Sequence, residues 1–384
     1  METKSYSPMR SRYWHYWISL LLCLGLVPVL RSQQLPLKFD WITLGVAYWL
    51  FLASESIFLA VLLGLIGLRR EQVLEPLLAR YGKSLRWLPL LVYFAVLALT
   101  TSWLKAVVLT VDTVALLEFF DRQRGKRFHA ASAILAPAAY FFVGFLLVLA
   151  YNCAIVSARY NFATDPALAA IDRWLLHGHS VWDLTHWALR SFPLSFFRAL
   201  EFIYFGMFPQ IGATIILVAL CEGRTRSVQF VGTILTSYFL ALVIFYIWPA
   251  QGPYYLCPGH FSRFPTSLQS YNIQKTLIPH ALALWHHQPI AKISTDYFIG
   301  FPCMHIVQPI IVIWFLRRWK RIVMVLAAYD LLLVVAVLLL EMHYVIDFIV
   351  GLAVTAAAIT ITGGPFRLEP APLDHDLTSA GSRP

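Results

Sequence analysis

The run "GFPCMHIVQPIIVIWFLRRWKRIVMVLAAYDLLLVVAVLLLEMHYVIDFIVGLAVTAAAITIT" (residues 300–362) decides the fold. It carries three apolar stretches, 299–316, 320–342 and 344–362, parted by the basic turn Arg317, Arg318, Lys320, Arg321 and by a tight turn near Met342. Roughly 20 helical residues cross the hydrocarbon core of a bilayer, and each stretch has about that length. Similar runs recur upstream at 13–30, 41–68, 87–117, 130–156, 193–221 and 227–248. A transmembrane barrel would instead show short alternating stretches, which are absent. The chain therefore reads as an all-α, polytopic helical membrane protein. Composition agrees: of 384 residues, 59% are hydrophobic and only 13% charged, about half the charged share of a soluble domain.

The net charge of +10 does not point to nucleic acid, because the basic residues sit in short clusters between apolar runs: Arg69/Arg70, Arg122 to Arg127 and Arg317 to Arg321. Such clusters mark cytoplasmic loops. Placing 121–129, 222–226 and 317–321 on the cytoplasmic side puts 157–192, 249–298 and the turn near Met342 on the other. The basic loop 69–86 fits this only where 87–120 forms a hairpin, so nine spans and ten spans both stay open. The run 13–30 mimics a signal peptide but has no small-residue cleavage site after it, and it reads as a first span. Residues 1–125 thus form an N-terminal extension of about three spans. Residues 126–362 form the main membrane domain, with an interfacial segment at 157–192 and a long loop at 249–298, and 363–384 read as a disordered cytoplasmic tail. Both long polar stretches are rich in Trp, Tyr and His, which argues for order at the interface.

Chemistry gathers on the non-cytoplasmic side. Nine of the twelve histidines fall there: His177, His179, His186, His260, His280, His286, His287, His305 and His343. Gly300 and Pro302 mark a helix start, which places His305 in a first turn whose backbone N–H groups and dipole suit an anion. His343 opens the last span four residues before Asp347, a spacing that lets the carboxylate hold the imidazole in one tautomer. The 38 positions from His305 to His343 cover one span down and one back, returning both to the same membrane face. Two imidazoles, one backed by a carboxylate, suit phosphoryl transfer through a phosphohistidine, with His343 attacking phosphorus and His305 moving the proton.

Other readings of the same residues are weighed beside this one. A histidine pair between helices can hold haem, although Asp347 has no task there. His286 and His287 read as solvated rather than metal-binding. Five scattered cysteines give neither a disulfide framework nor a zinc motif; Cys257 and Cys303 read as free thiols, with a disulfide over the site as the alternative. Glu55 pairs with Lys105 within the spans, and for Arg198 and Glu201 a mutual ion pair and a substrate role both stay open. The Trp residues of 171–189 anchor an interfacial helix.

"GFPCMH" (300–305) followed by "HYVID" (343–347) and Gly351 resembles the second and third motifs of the type 2 phosphatidic acid phosphatase superfamily. The nearest branch is the one with inositolphosphotransferases (inositolphosphorylceramide synthases), whose pattern reads F-P-S-x-H and then H-Y-x-x-D. The resemblance spans roughly 130–362 as a six-helix core, with "IDRWLLHGHSVWDLTHWAL" (171–189), "EFIYF" (201–205) and "YIWPAQGPYY" (246–255), the last standing where the first motif falls. It implies a membrane lipid phosphate or phosphodiester as substrate, no metal and no other cofactor. It also implies His343, Asp347 and His305 as catalytic residues, with Cys303, Met304, Tyr344, Gly252, Pro253, Tyr254, Arg198, Arg263 and Asp172 around the substrate.

The departures from the family pattern are specific. Ala336 and Val337 stand in place of its Ser-Arg, no Lys/Arg pair lies near Pro249, and Cys303 replaces its serine. The inositolphosphotransferase-like branch lacks those cations too, which favours a transferase or diesterase. Arg190, Arg198, Arg263, Lys275 and Lys292 are candidate substitutes, and loop 249–298 is a candidate cover that selects the acceptor. A lipid-binding member that has lost catalysis is the alternative. Short loops and the absence of long Ser-rich tails favour a bacterial inner membrane, with the site on the periplasmic face.

Overall fold

The computed structural model describes residues 128–159, 164–256, 268–286, 288 and 299–363, with short helical pieces inside 55–64. Among these residues every regular element is a helix: α1 (Phe128–Arg159), α2 (Thr164–Leu175), α3 (Val181–Ser191), α4 (Leu194–Phe205), α5 (Met207–Cys221) and α6 (Arg224–Ile247). They are followed by α7 (Pro253–Leu256), α8 (Gln269–Trp285), α9 (Met304–Leu316), α10 (Lys320–Leu339) and α11 (Val345–Gly363). The chain is an all-α membrane protein. Leu194–Cys221, Arg224–Ile247, Lys320–Leu339 and Val345–Thr362 are long and apolar enough to cross a bilayer, and α9 and the stretch Leu147–Ala158 of α1 are shorter apolar helices.

Helix α6 is the axis of the bundle and packs against α1, α5, α9 and α11. Its Phe230, Ile234, Tyr238, Ala241 and Phe245 are buried, recurring at the three- and four-residue steps that keep one helical face inward. Lipid tails are as apolar as leucine, so close side-chain packing rather than water exclusion holds such helices together. The rings of Phe145 and Tyr238 meet edge to face at 5.2 Å. Met324, Leu331 and Leu332 of α10 and Ile349, Leu352 and Ile361 of α11 point outward, as lipid-facing side chains do.

The predicted spans map onto this bundle with two adjustments. The run 193–221 is two helices meeting at Gly206, where the Tyr329 hydroxyl donates to the Ile203 carbonyl at 2.8 Å. Loop 249–298 holds α7 and α8, and α8 packs on α1. The interfacial segment becomes α2 and α3, with α3 started by a capping box between Ser180 and Asp183; Trp174 and Trp187 on these helices are strongly exposed. Near the piece within 55–64, Ala60 and Leu63 join the main apolar core. Lys105, and with it the predicted Glu55 pair, lies outside the described residues, as do the other N-terminal spans and the tail from 364.

Two chain ends of the helices differ in kind. At one, Glu222 pairs with Arg226 at 3.4 Å and with Arg318 at 3.6 Å, which brings the basic segments 222–226 and 317–321 together. At the other, α2, α3 and α7 close over the start of α11 and the end of α10.

Candidate active site

His305 and His343 meet: Nδ1 of His305 lies 3.2 Å from Nε2 of His343. Each ring is set by its own helix. Helix α9 starts with Cys303 as N-cap, so His305 is its second residue, and Pro302, expected inside the first turn, stands just before the cap. Helix α10 ends at Leu339, and the buried Glu341 takes a left-handed conformation (φ 54°) that turns the chain back toward the site. His343 follows at once, and α11 begins two residues later.

The tautomer of His343 follows from its neighbours. Its Nδ1 lies 2.6 Å from the Gly300 carbonyl and 3.2 Å from Asp347 Oδ2. Both are acceptors, so Nδ1 carries a proton, and in the neutral ring the Nε2 lone pair faces His305. Sequence reasoning assigns the orienting task to Asp347 alone; the backbone carbonyl of Gly300 makes the shorter contact. Asp347 Oδ2 also accepts from the Tyr344 N–H at 2.8 Å, which couples the ring's orientation to the first turn of α11. Gly300 must be glycine, since a Cβ there would sit 2.5 Å from the Gln251 carbonyl carbon.

Three more groups lie around the pair. Tyr204, from "EFIYF", stacks on His305 with centroids 4.4 Å apart. The buried, free Cys303 thiol lies within 4.8 Å of a ring nitrogen of each histidine; Cys257, its predicted alternative partner, lies outside the described residues. Gln251 is buried, and neither atom of its side-chain amide has a partner among the described residues. The facing nitrogens stand 3.2 Å apart, closer than two axial ligands on opposite faces of one haem iron.

Carboxylates of α2 hold the frame. Asp165 accepts from the N–H groups of Gln251 at 3.1 Å and Gly252 at 2.9 Å and from the Tyr344 hydroxyl at 3.1 Å. Burial pushes its carboxyl up to about 7, against the pull of those three donors toward the ionised form. Asp172 accepts from the N–H groups of Val345 at 2.8 Å and Ile346 at 3.0 Å and so caps α11; burial raises its pKa while those two N–H groups lower it. Sequence reasoning missed Asp165. The available signal is the seven-residue spacing of Asp165 and Asp172, two turns apart on one helix face.

Several residues expected around the substrate are thus engaged elsewhere. Both oxygens of Asp172 cap a helix, and the Tyr344 hydroxyl is bound to Asp165. The Gly252 N–H is bound to Asp165, in a backbone with φ 123° where a Cβ would meet the Met342 carbonyl at 2.6 Å. The Pro253 carbonyl accepts from Trp182 Nε1 at 3.2 Å, the Tyr254 N–H donates to the Glu341 carbonyl, and Met304 packs in the main core. These six shape the site by packing and backbone bonds. Arg190, Arg198 and Lys275 are exposed, while Arg263 and Lys292 lie outside the described residues. Glu201 accepts from the N–H and hydroxyl of Ser270, both at 2.5 Å, so it caps α8 and ties the long loop to α4.

Ala336 and Val337 are buried in a second apolar cluster with Cys303 and Met342, so the position of the family's Ser-Arg is filled by packing. No curated protein and no solved structure matches the chain. The family model described as "PAP2 superfamily" matches residues 166–361, from α2 to the end of α11, just over half the chain. With the two facing histidines inside the matched segment, the chain belongs to the PAP2 superfamily.

Proposed function

We propose that this protein transfers or hydrolyses a lipid-linked phosphate through a phosphohistidine on His343, in the manner of the inositolphosphotransferase branch. The observation that carries the reading is the forced tautomer of His343: with Nδ1–H held by Gly300 and Asp347, only the Nε2 lone pair can attack. A phosphoryl group takes the place of the imidazole contact. Nε2 then forms the N–P bond as the P–O bond to the leaving group breaks. His305, carrying a second proton when an anionic phosphate is bound, gives that proton to the leaving oxygen. It takes one back from the acceptor hydroxyl as that oxygen attacks phosphorus and the N–P bond breaks. The acceptor is water for a phosphatase and a headgroup alcohol for a transferase.

The phosphate oxygens face the N-terminus of α9, whose N–H groups and dipole favour an anion, and the buried amide of Gln251 supplies a neutral donor where the family pattern has cations. Asp347 stabilises the His343 cation, and Cys303 offers a weaker donor than the usual serine. Orientation follows the charges. The Arg-rich end holding Glu222, Arg226 and Arg318 is cytoplasmic, so the histidines lie on the extracytoplasmic face, in a bacterial inner membrane the periplasmic one. A non-catalytic lipid-binding role is the second reading, favoured by the buried Ala336 and Val337 in place of phosphate-gripping residues.

The test is an activity screen of purified protein against phosphatidic acid, polyprenyl diphosphates, phosphatidylinositol and ceramide, following free phosphate and headgroup exchange in parallel. The proposal expects turnover that vanishes in a folded His343→Ala variant. Full turnover in that variant contradicts the mechanism, and inactivity of the wild type toward every substrate favours the lipid-binding role.

A further inference from the structure

Cys303 changes the chemistry of the site beyond weakening one hydrogen bond. A serine at this position, with two imidazoles, offers a cation two good ligands; a thiol offers a third and softer one. Cys303 Sγ and one ring nitrogen from each of His305 and His343 lie within 4.8 Å of one another. Zinc bonded to two imidazoles at about 2.0–2.1 Å in tetrahedral geometry separates their nitrogens by about 3.3 Å. His305 Nδ1 and His343 Nε2 stand 3.2 Å apart. Zinc–sulfur bonds of about 2.3 Å place sulfur about 3.6 Å from each nitrogen, a small movement from the present cluster. The nitrogen of His343 away from the metal is bonded to Asp347 and to the Gly300 carbonyl, the outer-shell pattern that orients metal-binding histidines. The half-buried His305 gives the cluster a side open to a fourth ligand.

We propose that Cys303, His305 and His343 bind a borderline-soft divalent cation of the zinc type, with water or a phosphate oxygen in the fourth position. Binding releases the thiol proton of Cys303 to solvent and shifts the His305 proton from Nδ1 to Nε2, so that one thiolate and two imidazole lone pairs face the cation. His343 keeps its proton on Nδ1. The cation and phosphorus compete for the same His343 nitrogen, so the site is a metal-sensitive brake and not a requirement of the reaction. The site itself rests on geometry alone; only the inhibition rests on the function proposed above.

The experiment is a cobalt(II) titration of chelator-stripped, detergent-purified full-length protein, followed by zinc displacement. One cobalt per chain is expected, with a thiolate-to-cobalt charge-transfer band that zinc abolishes. Cys303→Ser removes the band, His305→Ala weakens binding, and Asp347→Asn lowers zinc affinity roughly 10- to 100-fold. Absence of saturable binding overturns the proposal, as does a band that survives in Cys303→Ser or binding unchanged in His305→Ala. Circular dichroism of each variant establishes that the helices are retained. A cobalt spectrum of the expected kind with turnover indifferent to zinc counts against His343 as nucleophile and leaves the metal site standing.

Discussion

The two ends of the helical bundle handle charge in opposite ways. At the arginine-rich end, Glu222 meets Arg226 and Arg318 through side-chain ion pairs, and Arg318 is more than half exposed. The pair to the exposed Arg318 is screened by solvent, while Glu222 and Arg226 are mostly covered. At the histidine end, Asp165, Asp172, Glu201 and Asp347 are all buried. Each accepts, with at least one oxygen, from N–H groups at or next to a helix start: those of Gln251 and Gly252, Val345 and Ile346, Ser270, and Tyr344. One end carries ion-paired arginines, one of them largely exposed. The other uses its few carboxylates to fix backbone, and through backbone to aim one imidazole.

Variants at the two ends are therefore expected to differ sharply. The largest effect is that of His305→Ala, which removes the proposed proton carrier and is expected to slow turnover on the order of 10² to 10⁴; steady-state rates of lipid-phosphate turnover measure it, and an unchanged rate assigns the proton transfer elsewhere. Next is Asp172→Ala, which leaves the first N–H groups of α11 without their carboxylate. It is expected to cost roughly 1–3 kcal/mol of stability, read as a lowered thermal midpoint in detergent, with a loss of turnover because His343 sits on that turn. A stable variant with normal turnover shows that α2 does not aim the site.

The third variant is conditional on pH. A carboxyl whose pKa is raised by the fold binds more protons folded than unfolded, so its contribution to stability falls as pH rises between the two values. For Asp165 that window runs from about 4 to about 7. The wild type is expected to lose stability relative to Asp165→Asn across this window and to run parallel above it; thermal midpoints of both proteins at several pH values decide. The smallest effect belongs to the other end. Glu222→Gln is expected to cost less than about 1 kcal/mol and to leave turnover unchanged, and a loss comparable to that of Asp172→Ala would erase the contrast between the ends.

The fold was largely legible because a bilayer reduces it to length and polarity: α6, α9, α10 and α11 fall where apolar runs and basic turns place them. The histidine pair was legible for the same reason, since one basic turn between His305 and His343 returns both to one face. The frame around them was not. Asp165 and Gly300 act on residues 87 and 43 positions away through backbone atoms, and neither backbone donors nor carbonyls leave a side-chain signature. Asp172, Tyr344 and Gly252 stood out in the sequence, but spacing alone could not separate touching a substrate from holding the chain. The break between α4 and α5 was hidden because Gly206 interrupts no hydrophobic pattern.

A covalent bond between Nε2 of His343 and phosphorus can be trapped by rapid acid-free quenching during turnover of a lipid substrate labelled at phosphorus. The account predicts a label on the protein that survives alkali, is lost in acid, maps to the peptide containing His343 and is absent from His343→Ala. Turnover with no such label at any time, or a label that persists in His343→Ala, would contradict it.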